Sequence, residues 1–151
     1  MYTYSACLEI NPPSAGLELT HAQVWRGLTM KAENAVPFVP GMESCVVLER
    51  YADGFLREIV LRGERMRERI TFTEPIQVRF ERVEDPGWIT NLVSESDFGL
   101  LLSFTFAVTF RGIAPGSEDE RRRGQSMQAS YLLAMQTTLD TVRRLAAEGK
   151  L

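Results

Sequence analysis

The feature that most narrows what this chain can fold into is the spacing of turn residues between Glu43 and Arg111. Six runs there (43–51, 55–62, 65–73, 76–84, 88–95 and 100–111) alternate side chains with the period of a strand. They are separated at Asp53-Gly54, Gly63-Glu64, Glu74-Pro75, Asp85-Pro86-Gly87 and Asp97-Phe98-Gly99. Each break is rich in turn formers and too short to hold a crossover helix. A parallel pair needs a connection of about a dozen residues or more, so consecutive strands here pair antiparallel. The segment is a meander.

Residues 2–10 also read as a strand, stopped by Asn11-Pro12-Pro13. A helix over 20–35 follows, with Thr20 and Gln23 at the spacing of a capping box. Val24, Trp25, Leu28, Ala32 and Ala35 recur at helical spacing and mark its inward stripe. Pro37 and Pro40-Gly41 end it, leaving a short apolar segment with Phe38, Val39 and Met42. A long helix over 117–148 closes the chain. Ser117 and Glu120 repeat the capping spacing, and Glu118 and Asp119 suit the positive end of the helix dipole. Met127, Tyr131, Met135, Leu139, Val142 and Ala146 form its apolar face. The fold class is therefore α+β: a curved antiparallel sheet of seven strands wrapped around the C-terminal helix, with 20–35 closing one end. One helix cannot fill a strongly curved sheet, so a ligand-sized gap is expected between them.

Composition bounds the function. The chain has 151 residues, the size of one domain over 1–151, with average hydrophobic content. A net charge of -3 argues against nucleic acid, whose binding domains carry a basic face. No apolar run approaches the roughly 18 residues of a membrane span, and no secretory signal is visible. Cys7 and Cys45 lie in apolar strand-like runs and read as buried thiols of a reducing, cytoplasmic protein. His21 is the only histidine and sits at a helix start, expected exposed. It cannot complete a zinc set with two distant cysteines or serve a Ser-His-Asp arrangement. No metal and no cofactor are expected, since no glycine-rich phosphate loop is present either.

The strand 65–73 carries the most specific signal. Met66, Ile70 and Phe72 share a face with Glu68, a carboxylate in an apolar row. With Gly63-Glu64 as a two-residue turn, Ile59 pairs with Glu68 and Arg57 with Ile70. That register sets Arg57 diagonally across from Glu68 on the inward face and pairs Glu58 with Arg69 outside. Three roles are open to the inward pair: a structural ion pair, a polar anchor for a mostly apolar ligand, or general acid–base work by Glu68. Of the adjacent Thr90 and Asn91 one must face inward, and Asn91 is a further candidate polar contact. The expected apolar wall comprises Leu61, Met66, Ile70, Phe72, Val78 and Phe80 from the meander. Phe104, Phe106, Met135 and Leu139 complete it.

The element order and several local motifs resemble a known family. The stretches that carry the likeness are 19–28 (Leu-Thr-His-Ala-Gln-Val-Trp-Arg-Gly-Leu), Lys31-Ala32-Glu33-Asn34, Phe38-Val39-Pro40-Gly41 and Val47-Leu48-Glu49-Arg50. Leu56-Arg57-Glu58, Arg67-Glu68-Arg69-Ile70, Thr90-Asn91 and Phe104-Thr105-Phe106 continue it along the chain. They resemble the START, polyketide-cyclase and plant-allergen (SRPBCC) superfamily and, within it, the AtaL-like subgroup. The resemblance implies the helix-grip fold and a cavity for a small lipophilic or aromatic ligand. It implies either binding alone or a polyketide-cyclase-, dehydratase- or hydrolase-like enzyme using the same cavity. None of these stretches is a catalytic signature. An unpaired edge strand is a candidate homodimer contact.

Overall fold

The computed structural model describes residues 1–151. The strands are β1 (Tyr2–Glu9), β2 (Met42–Tyr51), β3 (Gly54–Leu61), β4 (Glu64–Thr73), β5 (Gln77–Arg82), β6 (Gly87–Ser94) and β7 (Leu101–Val108). The helices are α1 (His21–Glu33) and α2 (Glu118–Ala147). All seven strands form one antiparallel sheet in the order β1-β7-β6-β5-β4-β3-β2. The meander is complete from β2 to β7, and β1 adds to its far edge. Two register shifts interrupt β2, between Met42 and Ser44 and between Val47 and Glu49. Bulges of this kind twist an edge strand away from further pairing. No helix is long and apolar enough to cross a membrane.

The β3–β4 hairpin departs from the expected register. Its two turn residues are Arg62 and Gly63, both at positive φ (50° and 80°), so Leu61 pairs with Glu64 and Arg57 lies directly opposite Glu68. A tight hairpin needs two left-handed residues to match strand twist, and arginine fills the first despite its Cβ. The slip amounts to two residues, so every side chain keeps its expected face. Outside, Glu58 pairs with Arg67 in register and bonds Arg65, while Arg69 turns to Asp53; the expected Glu58–Arg69 pair does not form. The fifth and last strands are also shorter than expected, ending at Arg82 and Val108.

The thiols correct another expectation: Cys7 is exposed and Cys45 half-buried. Cys7 stands opposite Ser103 on the outer face, 3.1 Å from its hydroxyl, because alternation sends it away from the core whatever its hydrophobicity.

Two helices share the inner face. α2 runs along β1: Gly124 lies against the Tyr2 ring at one end, and Arg143 donates to the Ile10 carbonyl (2.5 Å) at the other. Between them Tyr131 stacks on Phe106 with centroids 4.1 Å apart. α1 starts with the expected capping box, Thr20 with Gln23, and packs over β2, β5 and β6 and against α2. It therefore covers the centre of the sheet rather than only one end. The segment after it tucks Phe38 into the core, and Thr141 donates to the Pro37 carbonyl at 3.1 Å.

The two helices meet where α1 has no side chain. A Cβ on Gly27 would overlap Cγ2 of buried Val142. Gly27→Ala gains up to ~1 kcal/mol of helix propensity, but overpacking costs roughly 1–3 kcal/mol. Urea titration should find a net loss, and Val142→Ala should cost less in that background than in the natural chain.

Candidate functional site

Cross-strand pairing arranges the inner face in rows. One row holds Phe72, Val78, Asn91, Phe104 and Ala6; the next holds Phe55, Ile70, Phe80, Ile89, Phe106 and Tyr4. The third carries charge: Arg57, Glu68 and Arg82 stand side by side on β3, β4 and β5. Arg57 and Glu68 are each only 4% exposed. Nε and Nη2 of Arg57 both donate to Oε2 of Glu68, at 2.9 and 2.6 Å. Its Nη1 reaches the carbonyls of Lys31 and Ala32 at 3.2 and 2.8 Å. Those oxygens belong to the last turn of α1, which has no helical partners for them and favours a cation. Arg57 thus ties the sheet to the end of the helix while neutralising Glu68. Arg82 is half-buried, and its Nε is enclosed without a hydrogen-bond partner.

Opposite this row α1 lowers Lys31 into the sheet. The side chain is 6% exposed, and Nζ donates to Oδ1 of Asn91 at 2.6 Å. The ammonium faces the rings of Phe80 and Phe104, 4.8 and 4.7 Å from their centroids, a geometry that the ring quadrupoles favour. The guanidinium of Arg57 also faces Phe80, at 4.9 Å. Burial, reinforced by the field of Arg57 and partly offset by Glu68 and Cys45, lowers the Lys31 pKa from 10.5 to about 7. Asn91 is fully buried, and since lysine is only a donor, Oδ1 must face it. The amide Nδ2 then points elsewhere and donates to nothing in the protein.

The expected residues share this face. Ile70, Val78, Phe80, Phe104, Phe106, Met135 and Leu139 are buried, while Leu61, Met66 and Phe72 are half-buried. Arg57, Glu68 and Asn91 all point inward, and Thr90 points out. Sequence reasoning missed Arg82 on β5 and, on α1, Lys31. It lies seven positions after Val24 and three after Leu28, so the helical period itself places it on the apolar stripe.

Two hollows stand out. One, about 370 Å³, opens between α1 and the β2–β3 turn, walled by Trp25, Phe55 and Phe72, with Glu33, Arg50 and Glu74 at its rim. The other, about 450 Å³, is a groove between the end of β1 and α2 that includes Leu8, Pro12, Leu133 and Leu139. Inside the grip, Met66, Arg82, Ile89 and Tyr131 are half-buried, so the inner face is partly open toward the β3–β4 hairpin end.

Solved structures share this architecture at low sequence identity. The chain is similar to the di-domain aromatase/cyclase StfQ of the steffimycin biosynthetic pathway, with a TM-score of 0.69 and 11% identity. That alignment covers 97% of this chain but 51% of StfQ, so the chain spans about half the length of that protein. The Zhui aromatase/cyclase from Streptomyces sp. R1128 aligns over 96% of this chain and 94% of its own, with a TM-score of 0.66 and 14% identity. A START superfamily protein from Mycobacterium smegmatis gives 0.63 and 14% over 93% of this chain and 98% of its own. No curated protein matches in sequence. The family described as "AtaL: Acetylaranotin biosynthesis cluster protein L" matches residues 4–149. Its helix-grip sheet is the fold of the START superfamily protein, and with this near-complete match the chain belongs to the AtaL family.

Proposed function

We propose that the chain binds a small lipophilic or aromatic molecule on the inner face of its sheet. The ligand enters at the β3–β4 hairpin end, past the half-buried Met66, Arg82, Ile89 and Tyr131, and is oriented by the polar groups behind. The observation that carries this reading is Asn91, fully buried with an amide N–H that meets no acceptor. Leaving a buried donor unsatisfied costs about 1–3 kcal/mol, which a ligand oxygen would recover. The surroundings suit such a guest, because Phe80, Phe104, Phe106 and Ile89 present apolar surface on the same face. The START and aromatase/cyclase neighbours support this reading at the level of fold. Mass spectrometry of protein purified under non-denaturing conditions is expected to find a bound small molecule, lost in Asn91→Leu. Protein that carries nothing, and that no aromatic or lipid probe stabilises against heat, overturns the reading.

A second reading, cyclase-, dehydratase- or hydrolase-like catalysis in the same place, is favoured by Lys31. An amine with a pKa near 7 gives and takes protons readily at neutral pH, beside an Arg57–Glu68 pair able to polarise a carbonyl. Catalysis predicts turnover that follows a group titrating near pH 7 and disappears in Lys31→Met.

A further inference from the structure

We infer that the group anchored in the grip is an anion, the carboxylate, phenolate or enolate of a mostly apolar molecule. The inference rests on the binding reading above and names the ligand class. Its ground is a charge imbalance on the inner face. Lys31 of α1, Arg57 of β3 and Arg82 of β5 face the grip there, against one buried carboxylate, Glu68 on β4; Glu64, on the same face of β4, is exposed at the hairpin end.

Glu68 is already committed. Both of its bonds from Arg57 fall on one oxygen, and Arg82, its neighbour on the other side, forms no ion pair with it. Lys31 has only the neutral oxygen of Asn91. Cys45 of β2, 3.7 Å from Arg57, and Tyr131 of α2, whose phenol feels Arg82, are the other ionisable groups beside the cluster. Neither is a second carboxylate.

The second oxygen of Glu68 accepts no bond but is not enclosed, whereas the enclosed groups left unpartnered here are donors. Two enclosed donors on this part of the sheet, Nδ2 of Asn91 and Nε of Arg82, have no acceptor. Asn91 and Arg82 lie on adjacent strands, on either side of the row that holds Phe80 and Ile89. A neutral hydrocarbon guest leaves the surplus positive charge and both donors as they are. A guest carrying an anionic oxygen offsets the charge and accepts from the donor nearest it, while its apolar body covers the rings. Charge-assisted bonds of this kind are the strong ones.

The test uses matched pairs that differ only in charge: 2-naphthoate with 2-naphthamide, and decanoate with decanamide, titrated calorimetrically at pH 6.5 into the natural chain, Lys31→Met and Arg82→Met. The natural chain is expected to bind the better carboxylate about tenfold or more tightly than its amide, the scale of a charged hydrogen bond. Lys31→Met and Arg82→Met are each expected to lose most of that preference, weakening the carboxylate far more than the amide. Both variants remove charge and keep an unbranched apolar stem, and a thermal melt checks their fold. Equal affinity for acid and amide, or a preference untouched in both variants, overturns the inference and leaves the binding reading standing. No binding of any probe overturns the binding reading, and the inference with it.

Discussion

Arg57→Ala is expected to destabilise the chain by about 3–5 kcal/mol, the cost of leaving one member of a buried ion pair alone. The pair is 4% exposed on both sides, so water offers Glu68 little compensation. The same substitution strips a donor from the carbonyls of Lys31 and Ala32 at the end of α1. Arg57→Leu with Glu68→Leu should recover most of the loss but not all. The helix carbonyls remain without their donor, at about 1–3 kcal/mol. Urea unfolding of the three chains measures each difference. A loss below about 1 kcal/mol for Arg57→Ala would mean that the pair is well solvated and serves as an anchor only.

Lys31→Met should act in the opposite direction. The folded state depresses the lysine pKa from 10.5 to about 7, so below pH 7 both states hold the proton and folding carries the whole cost of burying it. That cost is up to about 5 kcal/mol at 1.36 kcal/mol per unit, and losing the donor to Asn91 returns about 1–3 of it. A net gain of about 2–4 kcal/mol is therefore expected at pH 6. As pH rises from 7 toward 10 the folded lysine gives up its proton while the unfolded one keeps it. The natural chain is then relieved of the penalty and the gap between the two narrows. Unfolding both chains at pH 6, 8 and 9.5 isolates this group, because Tyr51 and Tyr131, both with raised pKa, titrate alike in each. A gap that does not change with pH would show that the ammonium is not confined by burial.

The three residues behind these predictions were unequally legible in the sequence. Glu68 was visible because an alternating strand reports its faces directly, and a lone carboxylate among Met66, Ile70 and Phe72 breaks the pattern. Arg57 followed from pairing, and its partner survived a wrong turn assignment because a slip of two residues preserves the faces. The exact opposition needed Arg62 at φ 50°, a placement that residue preference argues against. Lys31 stayed hidden for a different reason. Helical periodicity put it on the apolar stripe, but a lysine there normally bends its amine out to water. Only the approach of β6, with Asn91 beneath the helix, turns it inward. The division of the inner face between α1 and α2 was equally out of reach, since it depends on the angle at which the segment around Phe38 returns the chain to β2.

The sheet order also sets a timetable. Strands β2 to β7 each find a partner in the strand made just before or after them, through hairpins that close quickly. β1 is synthesised first, yet its sole partner is β7, about a hundred residues later, and its covering helix α2 comes after that. On the ribosome β1 therefore waits as an unpaired, tyrosine-bearing strand while the meander zips up without it. Its placement and that of α2 form a single closing step, available only once the thirty residues of α2 have emerged.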